Sequence, residues 1–319
     1  MRALAPERLA ALRRVATIES VGSSTRIEGA KLSNGEVEEL LGRLDRTEFA
    51  SRDEEEVAGY AEVMDEVFAS HADMPLSENH IKQLHGMLLR YAPKDERHRG
   101  QYKTLPNTVE AFDADGRSVG VIFKTVTPFH TPFRMQELVA WTREALEDKS
   151  LHPLLAIGVF VVVFLQIHPF QDGNGRLSRV LTTLLLLKAG YSYAAYSSLE
   201  RLIEQNKEGY YLALRRTQGT LENDDPDWLP WLRYFMSSLK AQKDVLAAKI
   251  ESGDRLSGLP SEAVLIVEHV RRKGRITTAE ALTITGKPRP TVKKRLADLT
   301  RAGILVRRGQ GRGSWYAIS

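Results

Sequence analysis

The stretch from Leu154 to Arg179 constrains the fold most. Residues 154–165 form a twelve-residue apolar run broken only by Gly158. A membrane-spanning helix needs about 20 such residues, so the run reads as a helix buried in a protein core. It must stop near His168, because Pro169 disfavours right-handed helical geometry in the residue before it. The expectation is an extended His168 at the mouth of a turn. Asp172-Gly-Asn-Gly175 then forms a tight polar loop in which glycine lets the backbone approach a ligand closely. Arg176 opens a second apolar helix containing Leu181, Leu184, Leu185 and Leu187.

The flanking sequence extends this into a mainly α protein. Helical periodicity or long apolar segments predict helices over 36–44, 54–70, 77–91, 133–146, 152–167, 177–189, 199–218 and 228–251. Gly42 and Gly190 read as helix stops. Residues 104–131 differ. Asp113-Ala-Asp-Gly-Arg117 is a turn signal and 118–126 alternates with β-branched residues, so a β-hairpin is expected among the helices. The polar, Gly/Ser/Pro-rich segment 252–260 reads as a linker.

The 319 residues suit two or three packed units. With 42% hydrophobic and 27% charged residues, low-complexity disorder is excluded. The chain has no cysteine, which rules out disulfides, Cys-ligated metals and thiol catalysis and fits a cytoplasmic location. The first residues carry charges that interrupt any signal-peptide core, and no membrane association is expected. The net charge of +4 is unevenly distributed. Residues 260–319 hold 13 Lys and Arg against 4 Asp and Glu, a net of +9, and the preceding 259 residues are net −5.

The segment His168-Pro-Phe-Gln-Asp-Gly-Asn-Gly-Arg-Leu-Ser-Arg179 carries the chemistry. A glycine loop feeding a helix N-terminus offers free N–H groups and the positive end of the helix dipole to an anion. Arg176 and Arg179, three apart, lie on nearly the same helix face and can grip phosphate oxygens. Asp172 is a hard oxygen ligand suited to Mg²⁺ held jointly with phosphates. His168 can act as a base near neutral pH. Together these point to phosphoryl or nucleotidyl transfer.

With His168-Pro-Phe-x-Asp-Gly-Asn-Gly-Arg-x-x-Arg179 intact, flanked by His152-Pro153 and by Asn206-Lys-Glu-Gly-Tyr-Tyr-Leu-Ala-Leu214, the chain resembles the Fic (filamentation induced by cyclic AMP) family over about residues 15–235. The resemblance implies a helical bundle with a β-hairpin flap and a protein adenylyltransferase that moves AMP from ATP to a Ser, Thr or Tyr hydroxyl of a target protein, or of itself. It implies that His168 is the base and that Asp172 holds Mg²⁺. Gly173, Asn174 and Gly175 would surround the phosphates. Arg176 and Arg179 would contact the outer ones. Asn206, Tyr210 and Tyr211 would lie near the adenosine, although the two tyrosines equally suit a plain core role. The hairpin near 118–127 would be the flap that aligns the target, though it lacks the commoner Trp-Ile-Gly pattern.

Ser23-Ser-Thr-Arg-Ile-Glu-Gly29 has two conflicting local readings: a capping box that starts a helix at Thr25, and a glycine stop that ends one at Gly29. Beside the motif it resembles the family's inhibitory sequence. Ser24 and Glu28 would then share a helix face, with Glu28 pairing Arg179 in the place of the γ-phosphate. Removal of AMP, another nucleotide donor, and a nucleotide-sensing DNA-binding regulator stay open as alternatives, as does a homodimer.

Residues 261–319 predict helices at 261–273, 278–282 and 290–302, then strands at 304–307 and 314–318 around a Gly/Arg tip. This order resembles a winged helix-turn-helix domain, a unit that binds DNA or another protein. The implied organisation is an N-terminal helical region with the inhibitory helix (1–100), a catalytic core (101–251), a linker (252–260) and a winged helix (261–319).

Overall fold

The computed structural model describes residues 6–43, 49–112, 118–148, 151–257, 260–309 and 311–318. The chain divides into two compact units, Met1–Leu246 and Ala247–Ser319.

The first unit is helical: α1 (Pro6–Ile27), α2 (Asn34–Leu41), α3 (Arg52–Ser70), α4 (Glu78–Leu88), α5 (Thr131–Glu147), α6 (Pro153–Ile167), α7 (Asn174–Lys188), α8 (Leu199–Gln205), α9 (Lys207–Gln218) and the first part of α10 (Leu229–Ser257). Serines start several of these. Ser33, Ser51, Ser77 and Ser198 each accept an N–H from the first turn of the helix that follows, satisfying a donor that has no partner within the helix. The apolar run is α6. From Ala156 to Ile167 only Val159, Val163 and Gln166 are partly accessible, because α5, α7 and α9 pack around it. Trp231 of α10 donates its indole N–H to the Gly158 carbonyl at 2.6 Å. Between α4 and α5 the chain forms the expected hairpin, β1 (Thr108–Phe112) antiparallel to β2 (Ser118–Lys124). Its turn, 113–117, lies outside the described residues.

Two expectations need correction. The helix expected over 199–218 is broken at Asn206 (φ −131°, ψ 49°). An Asn side chain competes with the backbone for hydrogen bonds and favours helix ends. Residues 252–257, expected in the linker, continue α10. Extending an existing helix costs far less than nucleating one, so Ser and Gly there are tolerated. Helix α1 is 22 residues long but escapes a search for apolar periodicity, because the face it buries includes Glu19, Ser20, Ser23, Ser24 and Thr25.

The second unit contains α11 (Ser261–Lys273), β3 (Ile276–Thr277), α12 (Thr278–Thr285), α13 (Arg289–Arg301), β4 (Leu305–Arg308) and β5 (Trp315–Ile318). Its antiparallel sheet has the order β3-β5-β4. Ile266, Val292, Leu296 and Leu305 are almost completely buried in its separate core. Thr277 caps α12 in a reciprocal pair with Glu280. Among the described residues, no helix is long and apolar enough to cross a membrane.

Candidate functional site

The end of α6 and the start of α7 meet across residues 168–173. His168 is not extended. It adopts φ +52°, ψ +59°, and among the described residues it is the one non-glycine with positive φ. Pro169 keeps His168 out of the right-handed helix, and the left-handed helix cap is the alternative taken. For a non-glycine this costs about 1–3 kcal/mol and persists only where the surroundings over-determine it. The His168 N–H donates to Phe164 O at 2.9 Å, and ring Nδ1 lies 3.3 Å from Leu165 O. A neutral ring donating Nδ1–H there leaves Nε2 as the basic nitrogen. Burial lowers the His168 pKa to about 4, with Lys103 adding to the effect against Leu165, Glu28 and Asp172.

The loop after His168 is tied down by its own residues and by its neighbours. Asn174 accepts from the Phe170 N–H at 2.9 Å and donates to Phe170 O at 2.7 Å. Its side chain is therefore spent on the turn. Gly173 sits at φ +78° as the N-cap of α7, where a side chain would be strained. Asp172 Oδ1 accepts the Gly173 N–H at 2.7 Å. Its Oδ2 lies 3.1 Å from both Arg176 and Arg52. Burial alone would raise this carboxyl, but Arg176, the Gly173 N–H and Arg52 hold it below its ordinary value. Arg176 Nη1 also reaches Glu56 Oε2 at 3.2 Å, yet Nε and Nη1 are buried without an aligned hydrogen-bond acceptor.

One turn further along α7, Arg179 is 3% exposed. It donates Nε–H to Ser24 Oγ at 2.8 Å and Nη2–H to Ser24 O at 3.0 Å and to Glu28 Oε1 at 2.7 Å. Burial disfavours its charge, but Glu28 outweighs this and raises its pKa. Glu28 follows the last residue of α1. Thr25 lies inside the helix, donating to Val21 O at 3.0 Å, and Gly29 has φ +109°. The helix-stop reading therefore holds, and the capping-box start does not. The Glu28 carboxylate lies against Gly175 in the first turn of α7, where a Cβ would overlap Oε1. Ser24, Glu28 and Arg179 thus meet, the Glu28–Arg179 pair being the one the resemblance implied, and Gly175 joins them.

Tyr210 and Tyr211 lie within electrostatic reach of Glu28 and Arg179. Burial pushes Tyr210 up to about 12 with Glu28 adding to it, and raises Tyr211 as well. Tyr210 is also a core aromatic, against Trp231 and Tyr234. Asn206 is exposed. Its carbonyl accepts from the Tyr210 N–H at 3.0 Å and from the Tyr234 hydroxyl at 3.4 Å, and among the described residues these bonds do not reach the motif.

Several residues at the site carried no legible signal. His85 of α4 stacks on Phe170 at 3.8 Å. Its Nδ1 accepts from Gly100 N at 2.9 Å, so Nε2–H donates to Asp172 O at 3.0 Å. Burial lowers its pKa to about 4, consistent with that neutral form. Arg52 and Glu56 of α3, and Lys103 and Asn107 ahead of the hairpin, are distant in sequence from the motif they touch.

Among the described residues, no group of three or more His, Asp or Glu could cage a metal. Asp172 offers a single, partly exposed carboxylate that Arg176, Arg52 and the Gly173 N–H already engage, next to Arg176 donors that lack an aligned acceptor. That set fits Mg²⁺ completed by phosphate oxygens and water, rather than a protein-only metal centre.

A mainly helical fold with a strained histidine before a glycine loop at a helix N-terminus defines the class. Residues 75–186, about a third of the chain, match the Fic/DOC family model. It is 30% identical over 99 residues to a protein named probable protein adenylyltransferase from Aquifex aeolicus, a match spanning 31% of this chain and 28% of that one. It is 26% identical over 156 residues to Protein adenylyltransferase Fic of Drosophila grimshawi, spanning 49% and 28%. The matches thus span little more than a quarter of these curated relatives. Among solved structures, a Fic family protein from Desulfovibrio desulfuricans has a TM-score of 0.63 at 21% identity, over 100% of this chain and 91% of that one. A Fic domain containing signaling protein from Bacteroides thetaiotaomicron gives 0.62 at 25%, over 77% and 92%.

Proposed function

We propose that the chain is a protein adenylyltransferase, transferring AMP from ATP to a hydroxyl of a target protein, and that Glu28 restrains it. The observation that carries this reading is the Glu28 carboxylate, paired with Arg179 and set against Gly175 at the N-terminus of α7. That is where phosphate oxygens would find the free N–H groups and the arginines.

In this mechanism His168 Nε2 takes the hydroxyl proton as the hydroxyl oxygen bonds to the α-phosphorus. The bond from that phosphorus to the bridging oxygen breaks, and its electron pair leaves with pyrophosphate. Proton removal by a positioned base supplies about 10²–10⁴-fold. Backbone N–H groups of Asn174 and Gly175 and the forks of Arg176 and Arg179 stabilise the growing oxygen charge, while the Gly173 N–H holds Asp172. Tyr210 and Tyr211 flank the nucleotide. Asp172 would hold Mg²⁺, which would supply charge neutralisation to the phosphates. In the resting chain Glu28 takes Arg179 and leaves no place for the γ-phosphate.

Incubating the chain with α-labelled and γ-labelled ATP tests this. The expected result is protein labelled from the α-position only, more strongly in Glu28→Gly, and none in Glu28→Gly/His168→Ala, which still binds ATP. Labelling from the γ-position alone would mean a kinase, and none from either would favour a nucleotide sensor. An unchanged rate in Glu28→Gly would remove the brake from the account.

We further propose that the second unit is a winged helix that addresses DNA. Arg289, Lys293, Lys294 and Arg301 are exposed along α13, and Val292, Leu296 and Leu299 are buried on its other side. A basic exposed stripe on a small net-positive unit suits a phosphate backbone.

A further inference from the structure

We infer that Lys103 and Asn107 are positioning residues that hold His168 in its left-handed conformation and lock it to the base of the hairpin. The inference rests on reading His168 as the base. Four consecutive carbonyls, from 167 to 170, form the backbone that carries His168, and this pair engages every one. Lys103 Nζ donates to Ile167 O at 3.0 Å, and the Lys103 N–H donates to Pro169 O at 2.8 Å. Asn107 Nδ2 donates to Phe170 O at 2.8 Å and reaches His168 O at 3.5 Å. One side chain and one backbone group of Lys103 thus clamp the residues on either side of the histidine.

The clamp is buried and shares its partners. Lys103 is 3% exposed, and its Nζ is also donated to Asn107 Oδ1 at 2.8 Å and Thr125 Oγ1 at 2.9 Å. An ammonium makes three such bonds, and here all three are made to neutral acceptors. Burial lowers the Lys103 pKa to about 8. A charge buried without a carboxylate is expensive unless fully hydrogen-bonded, so the amine is where it is because those acceptors hold it. Asn107 precedes β1 and Thr125 follows β2, and the Thr125 hydroxyl bonds Asn107. The two ends of the hairpin therefore close on the same amide that holds the histidine loop. A target segment ordered by the hairpin would be registered against Nε2 through these few bonds.

Positioning errors of about 1 Å can cost about 10²-fold in rate. In the Glu28→Gly chain, Lys103→Met and Asn107→Ala should each lower kcat by about that factor while KM for ATP stays within about threefold, the signature of a group acting after binding. The second readout does not depend on AMP transfer. With ¹⁵N-labelled histidine, the His168 ring signals, assigned by their loss in His168→Ala, should move in each variant. The result that overturns the inference is a cooperatively folded variant with kcat within about twofold of its parent, or with unmoved His168 ring signals. If Lys103→Met does not fold, Asn107→Ala decides. If the parent transfers no AMP, the proposed activity fails on its own, and the ring signals alone decide the clamp.

Discussion

At the residue scale, Glu28 and Gly175 depend on each other. The carboxylate fits over the first turn of α7 only because position 175 has no side chain, and Arg179 is tolerated in its buried place because Glu28 and Ser24 take its donors. His85 and His168 show the converse, two rings kept neutral by burial. Each has a folded pKa of about 4 against the ordinary 6.5. The unfolded chain therefore takes up protons first, and stability fully present above pH 6.5 is lost as pH falls towards 4. By linkage each ring accounts for up to about 3 kcal/mol across that window. Urea midpoints measured at about pH 7 and about pH 5 should differ, with the lower stability at the acid value; equal midpoints would mean these rings are not neutral in the folded state. The motif residues were legible because their spacing is local. His85 was not, because its partner lies 87 positions away.

At the scale of elements, α3 and α4 matter most after the motif helices. They bring Arg52, Glu56 and His85 to the loop, and they approach closely at Gly59, where a Cβ would overlap the Leu88 carbonyl oxygen. Backbone cannot move aside as a side chain can. Gly59→Ala should cost about 1–3 kcal/mol despite its better helix propensity. A melting temperature about 5 °C lower is the expected reading, and an unchanged or higher one would show that the helices part without cost. Helix α1 is held differently, by polar contacts along α8. Ser20 donates to Glu200 at 2.7 Å, Arg26 to Glu204 at 2.6 Å, and Arg201 pairs with Glu19. This polar seam explains why hydrophobic periodicity left α1 almost invisible, whereas α6 was plain. A buried polar face becomes legible only once its partner is known.

At the scale of the molecule, the charge split follows the two units. The net-positive C-terminal residues belong to a unit with its own core, while the positive charge of the first unit's site is local, at Arg176 and Arg179, and already paired. If α13 addresses DNA, the 319-residue chain should bind duplex DNA with an affinity that falls steeply with salt, the logarithmic slope being about −3 or steeper for three or more phosphates neutralised. A slope near zero, or no affinity at low salt, would assign the unit to protein contact. The division falls at Leu246/Ala247, inside a helix, and not at the polar segment that composition singled out.

What the sequence alone determined is everything written in short-range pattern. This covers the buried helix ended by His168-Pro169, the glycine loop on a helix N-terminus, the hairpin strands, the α13 stripe and the arginine that would meet Glu28. What only the tertiary structure decided is what depends on distant residues: the left-handed turn of His168, the Lys103 and Asn107 clamp behind it, the His85 support under Asp172, and the polar docking of α1. A twelve-residue motif holds the groups of the proposed chemistry, but the loop that carries His168 is oriented by hydrogen bonds to its backbone carbonyls. Any residue with a donor can make those bonds, from anywhere in the chain, and so they leave no pattern to read.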